Sequence, residues 1–522
     1  MIREISRRKC LRLWLCKPEY MERTKWENRF VLLRFWKKNY MMFLKDLKRF
    51  KMERLYDKLK AYSESDFYAF HMPGHKRNKA LLGIELPYDL DITEIDGFDD
   101  LHHADGILKE EQERAARVFG AEESHFLVNG STAGILSAVM GCTHRGDKIL
   151  VARHCHKSIY HAIYMNGLVP RYVYPEFDIS MHMNGEISKE DVAKALAAEP
   201  DIKAVVIVSP NYDGVVSDVK GIAEVAHSYR IPLIVDEAHG PHFGFHPVFP
   251  ERANDLGADV VINSLHKTLP SLTQTAILHI NGKIVNRRRI KKYLDMLQSS
   301  SPSYIFMASL DTCVDFVDGK CENAFELYVE RLQKFREELK PLQHLQILRT
   351  EHYDISKVVI STANANITSP ELADRLRKEY HLEMEMTGGT YVLAMTTVAD
   401  TQEGLDRLKA ALLEIDGQLE AKTAVSGSIE ISGELPRLEQ YFTPQEAADR
   451  EEDGEAEEIP WKESEGYISL EYAYLYPPGS PVIVPGERIS REAVELLRYY
   501  ETQNLQIEGI QTEGKIKVWK HE

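Results

Sequence analysis

The sequence predicts an α/β protein built on a mostly parallel sheet with helices on both faces. Three observations predict it. Between residues 124 and 280 short apolar runs alternate with helical stretches, the pattern of strands buried on both faces. Stretches such as "TAGILSAVMG", "SIYHAIYMNG" and "VKGIAEVAHSYR" lie between runs, where crossover helices belong. Polar residues cluster directly after five of the runs, and open α/β sheets bind ligands outside the carboxyl ends of their strands.

In chain order the runs are "SHFLV" (124–128), "DKILVA" (147–152), "RYVY" (171–174), "KAVVIVS" (203–209), "PLIVD" (232–236), "ADVVINS" (258–264) and "TAILHI" (275–280). Each is short, bounded by polar or turn residues and rich in β-branched side chains, as strands are. After about residue 300 the texture changes. "ENAFELYVERLQKFREELKPL" reads as a helix of mixed charge, and "ITSPELADRLRKEYHLEMEM" followed by "TYVLAMT" reads as helix then strand. That is the pattern of a smaller α+β domain. The acidic stretch "QEAADREEDGEAEEIP" (445–460) reads as an exposed connection. The segment "YPPGSPVIVPGERIS" (476–490) holds four prolines and two glycines, so it reads as a rigid lid or brace. The expected divisions are a basic extension (1–51), an N-terminal segment (52–120), a large domain (121–310), a small α+β domain (311–430) and a C-terminal segment (431–522).

Composition limits the function. A chain of 522 residues, 43% of them apolar, can bury a large core and more than one domain. Residues 1–51 carry 16 Lys/Arg against 5 Asp/Glu; with a chain total of −16, residues 52–522 sum to −27. An acidic body argues against nucleic acid as a partner. The basic head lacks the unbroken apolar core of a signal peptide. It reads either as a surface-binding arm or as sequence ahead of a native start at Met52. Six cysteines without C-x-x-C spacing suggest free thiols in a reducing compartment, with no zinc or other metal site. No apolar run approaches the roughly 20 residues of a membrane span, so a cytoplasmic protein without membrane contacts is expected.

The five polar clusters are "NGSTAG" (129–134), "RHCHKS" (153–158), "PNYDG" (210–214), "DEAHG" (236–240) and "NSLHK" (263–267). The first places hydroxyls at a helix N-terminus, which favours an anion, though it also reads as a plain cap. Asp236 ends a strand of hydrophobes; a carboxylate so placed needs a partner, and a protonated ring nitrogen would serve. Lys267 follows another strand, where a desolvated lysine reacts readily with an aldehyde. Anion cup, carboxylate and imine-forming lysine together describe pyridoxal 5′-phosphate, with Ser131 and Thr132 toward its phosphate. His156 then suits stacking on one ring face and Ala238 packing on the other, against the plainer readings of a loop histidine and a small core residue. Ser264 and His266 flank the lysine within reach of a phosphate. His239 falls near the ring hydroxyl or the substrate carboxylate.

From about residue 66 to 490 the chain resembles the Orn/Lys/Arg decarboxylases of the aspartate-aminotransferase-like (fold type I) pyridoxal phosphate enzymes. The resemblance runs through "FHMPGHKRN", "DITEIDGFDDLHHADGIL", "FLVNGSTAGILSAV", "RHCHKSIYHA", "VDEAHGPHFGFH", "NSLHKTLPSLTQTAILH", "SSSPSYIFMASLD" and "YPPGSPVIVPGE". It implies a seven-stranded sheet with a smaller α+β domain, Lys267 as the Schiff-base lysine, Asp236 as the ring partner and His156 as the stacking histidine. It also makes Ser131, Thr132, Ser264 and His266 phosphate contacts, and implies a homodimer or multiple of dimers whose sites a second subunit completes. Longer members carry a receiver-like N-terminal wing. The chain resembles the short form, among which arginine decarboxylases are familiar, so arginine to agmatine and CO2 is the expected reaction, with lysine or ornithine as the alternatives.

A cationic substrate needs carboxylates. Glu94, Asp96, Asp99 and Asp100 in "TEIDGFDD" and Glu383 and Glu385 in "LEMEM" are candidates, each of which also reads as solvated loop acid. Two rivals remain. An aminotransferase or lyase on the same fold would share Lys267 and Asp236. "DEAH" (236–239) spells a helicase box, but "GCTHRGDK" (141–148) has Asp147 where a phosphate-loop lysine belongs.

Overall fold

The seven apolar runs form one sheet. The computed structural model describes residues 54–81, 83–178, 183–348, 351–422, 434–475, 479–503 and 505–520. The basic residues 1–51 and the start expected at Met52 lie outside the described residues. The first strands are β1 (Glu123–Leu127), β2 (Lys148–Ala152) and β3 (Val169–Val173), then the hairpin of β4 (Phe177–Asp178) and β5 (Met183–Asn184). They are followed by β6 (Val205–Val208), β7 (Leu233–Asp236), β8 (Val260–Asn263) and β9 (Ala276–Ile280). Outside the hairpin they pair in the order β1-β9-β8-β7-β6-β2-β3. Neighbours are parallel except at β9, which runs against both β1 and β8. The other six strands therefore end on one edge, the edge that receives the five polar clusters.

The sheet is covered by helices on both faces, so its strands need no polar face. Every residue of β6 to β9 is buried, which is why these runs are continuous rather than alternating. Helices α1 (Leu55–Ser63) and α2 (Ile107–Val118) precede the sheet. Within it α3 (Gly130–Cys142), α4 (Lys157–Met165), α5 (Lys189–Ala198) and α6 (Val219–Ser228) make the crossovers. The one-turn α7 (Leu265–Thr268) follows β8. The turn from β1 into α3 passes through Gly130 at φ +72°, a conformation that favours glycine.

A second sheet, antiparallel, orders β10 (Gln346–Ile347), β11 (Lys357–Ser361), β12 (Met386–Thr387) and β13 (Tyr391–Met395) as β10-β11-β13-β12. After it β14 (Glu439–Gln440), β15 (Ala456–Pro460), β16 (Ala473–Leu475), β17 (Pro481–Ile483), β18 (Glu487–Arg488), β19 (Ile507–Glu508) and β20 (Lys515–Trp519) form three small sheets. They share a core of their own that includes Trp461, Ile483, Leu497 and Val518.

One expectation is corrected here. Residues 445–460 are not a connection. Pro444–Glu452 is a helix, opened by a capping box between Thr443 and Glu446, and β15 pairs along its length with β20. Only Pro444 and Ala447 of the helix are buried, so its charge-rich exposed face hid it. The proline-rich segment does act as a brace among its described residues. Glu487 binds Arg153, the residue after β2, through both guanidinium ends at 2.7 and 2.8 Å, and both side chains are fully buried. Ser480 Oγ donates to the carbonyl of His154 at 2.7 Å.

Candidate active site

The strand edge gathers most of the predicted residues. At the start of α3 the hydroxyls of Ser131 and Ser264 are hydrogen-bonded to one another, joining the cluster after β1 to the one after β8. Asn129 supplies no side-chain cap to this helix, so the serine pair stands beside first-turn N–H groups that seek an acceptor. Thr132 is exposed in the same turn.

Lys267 lies on α7, a helix that begins at Leu265 because β8 ends in Asn263, whose amide is tied to Glu237. Its Nζ lies 2.9 Å from His239 Nε2. Burial pulls the pKa of Lys267 below the ordinary lysine value, against the attraction of Asp236 and Glu385. Asp236 is 3% exposed and accepts the Ala238 N–H at 3.2 Å. Burial raises its pKa, opposed by the charge of Lys267. A buried carboxylate favours a protonated neighbour.

His156 caps α4, accepting the Ser158 N–H at 3.3 Å, with Ser158 Oγ at 2.8 Å from the same Nδ1. Burial and the charge of Lys267 bring its pKa down to about 4, so the ring is neutral at pH 7. His266 places Nδ1 2.8 Å from the Thr275 carbonyl, so that nitrogen carries the proton.

The structure adds residues that sequence reasoning missed. Lys357, at the start of β11, is fully buried and brings Nζ to 3.2 Å from His239 Nδ1. Tyr212 packs its ring 4.5 Å from that of His239 and donates its hydroxyl to Glu385. Asp213 accepts the Tyr391 hydroxyl at 2.5 Å, and burial lifts its carboxyl to about 6. Tyr212 and Asp213 were legible as part of a polar cluster; Lys357, ninety residues from Lys267, carried no signal.

The acidic candidates separate. Glu385 touches the site through Tyr212 and through its charge on both lysines. Glu383, Glu385 and Asp96 are all exposed, and of the three Glu385 is the one bonded to Tyr212. Asp99 is occupied by its own loop: at φ +66° it accepts the N–H groups of Asp100, Asp105, Gly106 and Leu108 at 2.9–3.1 Å. Asp100 caps the turn at Leu101–His103. Glu94 keeps a buried oxygen, Oε1, without a hydrogen bond among the described residues. No group of three or more His, Cys, Asp or Glu among the described residues is arranged to hold a metal.

Comparison with known proteins settles the family. The profile of the Orn/Lys/Arg decarboxylase major domain matches residues 53–421, and that of the Orn/Lys/Arg decarboxylase C-terminal domain matches residues 433–514. The chain belongs to the Orn/Lys/Arg decarboxylase family. Among family relatives, the arginine decarboxylase of Bacillus subtilis (strain 168) is 33% identical over 471 residues, covering 87% of this chain and 95% of its own. The lysine decarboxylase LdcA of Pseudomonas aeruginosa is 24% identical over 83% of this chain and 73% of its own. The crystal structure of the Francisella novicida lysine decarboxylase superposes with a TM-score of 0.78 at 20% identity, covering 92% of this chain and 84% of that one. That likeness identifies the aspartate-aminotransferase-like fold. Among the described residues no helix is long and apolar enough to cross a membrane.

Proposed function

We propose that the chain binds pyridoxal 5′-phosphate at this strand edge and decarboxylates a basic amino acid there, with arginine as the substrate. The observation that carries the reading is the meeting of three groups at one edge: the buried carboxylate of Asp236, the buried amine of Lys267, and the Ser131–Ser264 hydroxyl pair at a helix N-terminus. Each suits one end of the cofactor. The hydroxyls and helix N–H groups suit a phosphate, Asp236 a protonated ring nitrogen, and Lys267 an aldehyde. His156 and Ala238 are assigned to the two ring faces, and Thr132 and His266 to the phosphate.

Bound there, pyridoxal phosphate supplies the electron sink that accepts the electron pair left when the substrate carboxylate departs as CO2. The chain's residues do the rest. Asp236 holds a proton on the ring nitrogen, because a buried carboxylate without that proton beside it would be left poorly solvated. Lys267, desolvated, offers a free amine. His239, 2.9 Å from its Nζ, is placed to exchange a proton with it. Glu385, held by the Tyr212 hydroxyl, is assigned to the substrate's positive charge.

Arginine is favoured because four relatives 31–33% identical are named arginine decarboxylases, while the named lysine decarboxylases are 23–24% identical. The reading carries a cytoplasmic location and a homodimer or multiple of dimers. The exposed side chains of Phe67, Tyr68, Phe70 and Met72 support such an assembly, because a run of exposed large apolar groups seeks a covering surface. Product analysis tests the reaction: the purified chain with pyridoxal phosphate is given arginine, lysine and ornithine separately, and CO2 and amines are measured. Agmatine from arginine, abolished by Lys267→Ala, is expected. Cadaverine or putrescine would overturn the substrate, and an α-keto acid would overturn the reaction.

A further inference from the structure

We propose that Lys357 is a positioning residue for Lys267, acting through His239: its ammonium fixes the tautomer of His239 that donates to Lys267 Nζ and so holds that nitrogen as a free amine. The inference rests on the reading above, in which Lys267 is the reacting amine.

The three side chains form one line. Lys357 Nζ lies 3.2 Å from His239 Nδ1, and His239 Nε2 lies 2.9 Å from Lys267 Nζ. Burial, then the charges of both lysines, hold the His239 pKa far below its ordinary value, so the ring is neutral and carries one N–H. An ammonium group has donors and no acceptor, while an amine can accept. Two ammonium groups cannot satisfy both contacts, so with one lysine charged two wirings remain. Either Lys357 is the cation and Lys267 the amine, or the reverse.

The surroundings choose the first. Lys357 faces three carboxylates, those of Asp354, Glu385 and Asp213, and one like charge, that of Lys267. Burial brings its pKa down only to about 8, which leaves it charged at neutral pH. Lys267 faces two carboxylates, Asp236 and Glu385, against three at Lys357, so the reverse wiring would put the uncharged amine at the more acidic of the two positions. With Lys357 charged, Nδ1 of His239 must accept, its proton sits on Nε2, and Lys267 Nζ receives a hydrogen bond that only a neutral amine can take.

The packing fixes the line in place. A Cβ added at Gly214 would lie 2.7 Å from Lys357 Cγ, so the backbone there closes directly on the lysine stem. Tyr353 donates its hydroxyl to the Lys357 carbonyl at 2.7 Å. Asp354, which faces Lys357, also lies 3.1 Å from His242 Nε2, and His242 Nδ1 lies 3.0 Å from the hydroxyl of Thr268, the residue after Lys267. The small-domain strand that presents Lys357 is thus tied to the helix that presents Lys267 by two routes.

The test reads Lys267 directly. Full-length protein freed of cofactor is acetylated with trace acetic anhydride across pH 6–11, and the modification of Lys267 is followed by peptide mass spectrometry to give its apparent pKa. The pH-dependent rate at which added pyridoxal phosphate is captured is measured beside it. Lys357→Met is expected to raise the apparent pKa by about one unit, so that the acetylation profile of Lys267 and the pH dependence of capture both move about one pH unit upward, while Lys357→Arg keeps the wild-type profile. An unchanged Lys267 profile in Lys357→Met overturns the proposal. Should Lys357→Met not fold, ¹⁵N-histidine spectra of the wild-type protein, with His239→Gln for assignment, decide: a proton on Nε2 supports the proposal and a proton on Nδ1 overturns it. If wild-type protein captures no cofactor on Lys267, the functional reading fails, and the acetylation profiles still decide the role of Lys357.

Discussion

The brace between Arg153 and Glu487 gives a prediction that couples the C-terminal segment to the site. Glu487→Gln removes the negative charge and leaves the Arg153 guanidinium buried. That cation lies between the Tyr172 ring, 4.7 Å away, and the Val482 carbonyl, and both members of the pair are fully buried. Removing one partner of a buried pair costs about 3–5 kcal/mol. The value belongs near the top of that range, because Glu487 also accepts the Val484 N–H at 2.8 Å and serves three donors at once. Replacing both partners in Glu487→Gln/Arg153→Met removes the stranded cation and should recover a large part of the loss. The assay is urea unfolding, followed by tryptophan fluorescence and far-UV circular dichroism, over the full double-mutant cycle. The turn that follows Arg153 carries His154 and His156, so Glu487→Gln should also weaken pyridoxal phosphate binding severalfold. If the single variants each cost under about 1 kcal/mol, or the double variant loses the sum of the two, the brace is not what holds the segment to β2.

Four further outcomes are expected. Asp236→Asn should lower kcat by about 10²–10³-fold while the cofactor still modifies Lys267; a variant with wild-type kcat would remove Asp236 from the chemistry. Glu385→Gln should raise KM for arginine about tenfold, the weight of one charge-assisted bond, and an unchanged KM would send the search back to Glu94, whose Oε1 is buried and without a hydrogen bond among the described residues. Asp99→Asn should lower the melting temperature and leave KM alone, since Asp99 serves four backbone N–H groups; a large KM effect would restore it as a substrate contact. Burial lowers the pKa of His154 to about 4, below its unfolded value, so its contribution is present above pH 6.5 and lost as pH falls toward 4. Relative to His154→Leu, wild type should therefore lose about 2 kcal/mol of unfolding free energy between pH 7 and pH 5, at 1.36 kcal/mol per pH unit, and a pH-independent difference would contradict that burial effect.

The sheet was legible because its strands are buried on both faces. Continuous runs such as "VVIV" and "LIVD" have no other stable place in a soluble fold, and their parallel order follows from the helices between them. The clusters at the strand ends were legible for the same reason: polar residues there are set by the edge, and Ser131 meets Ser264 across 133 positions because both follow strands. Lys357 was not legible. A lysine ahead of "VVIS" reads as a solvated strand start, and only the docking of the second sheet on the strand edge buries it. Asp99 misled for the opposite reason. Its neighbours Asp96 and Asp100 make an acidic loop that attracts a cationic substrate on paper, yet its carboxylate is consumed by four backbone groups of that loop. The helix at Pro444–Glu452 did carry a signal in Thr443-Pro444-Gln445-Glu446, a capping box outweighed by the surrounding charge.

The central claim is that Lys267 is the residue to which the cofactor bonds. The most direct test is borohydride reduction of the purified protein with pyridoxal phosphate, followed by peptide mass spectrometry. A pyridoxyl phosphate group on the peptide containing Lys267, and on no peptide of Lys267→Ala, is the predicted result. Modification of Lys357 instead, or of scattered surface lysines in equal measure, would contradict the account.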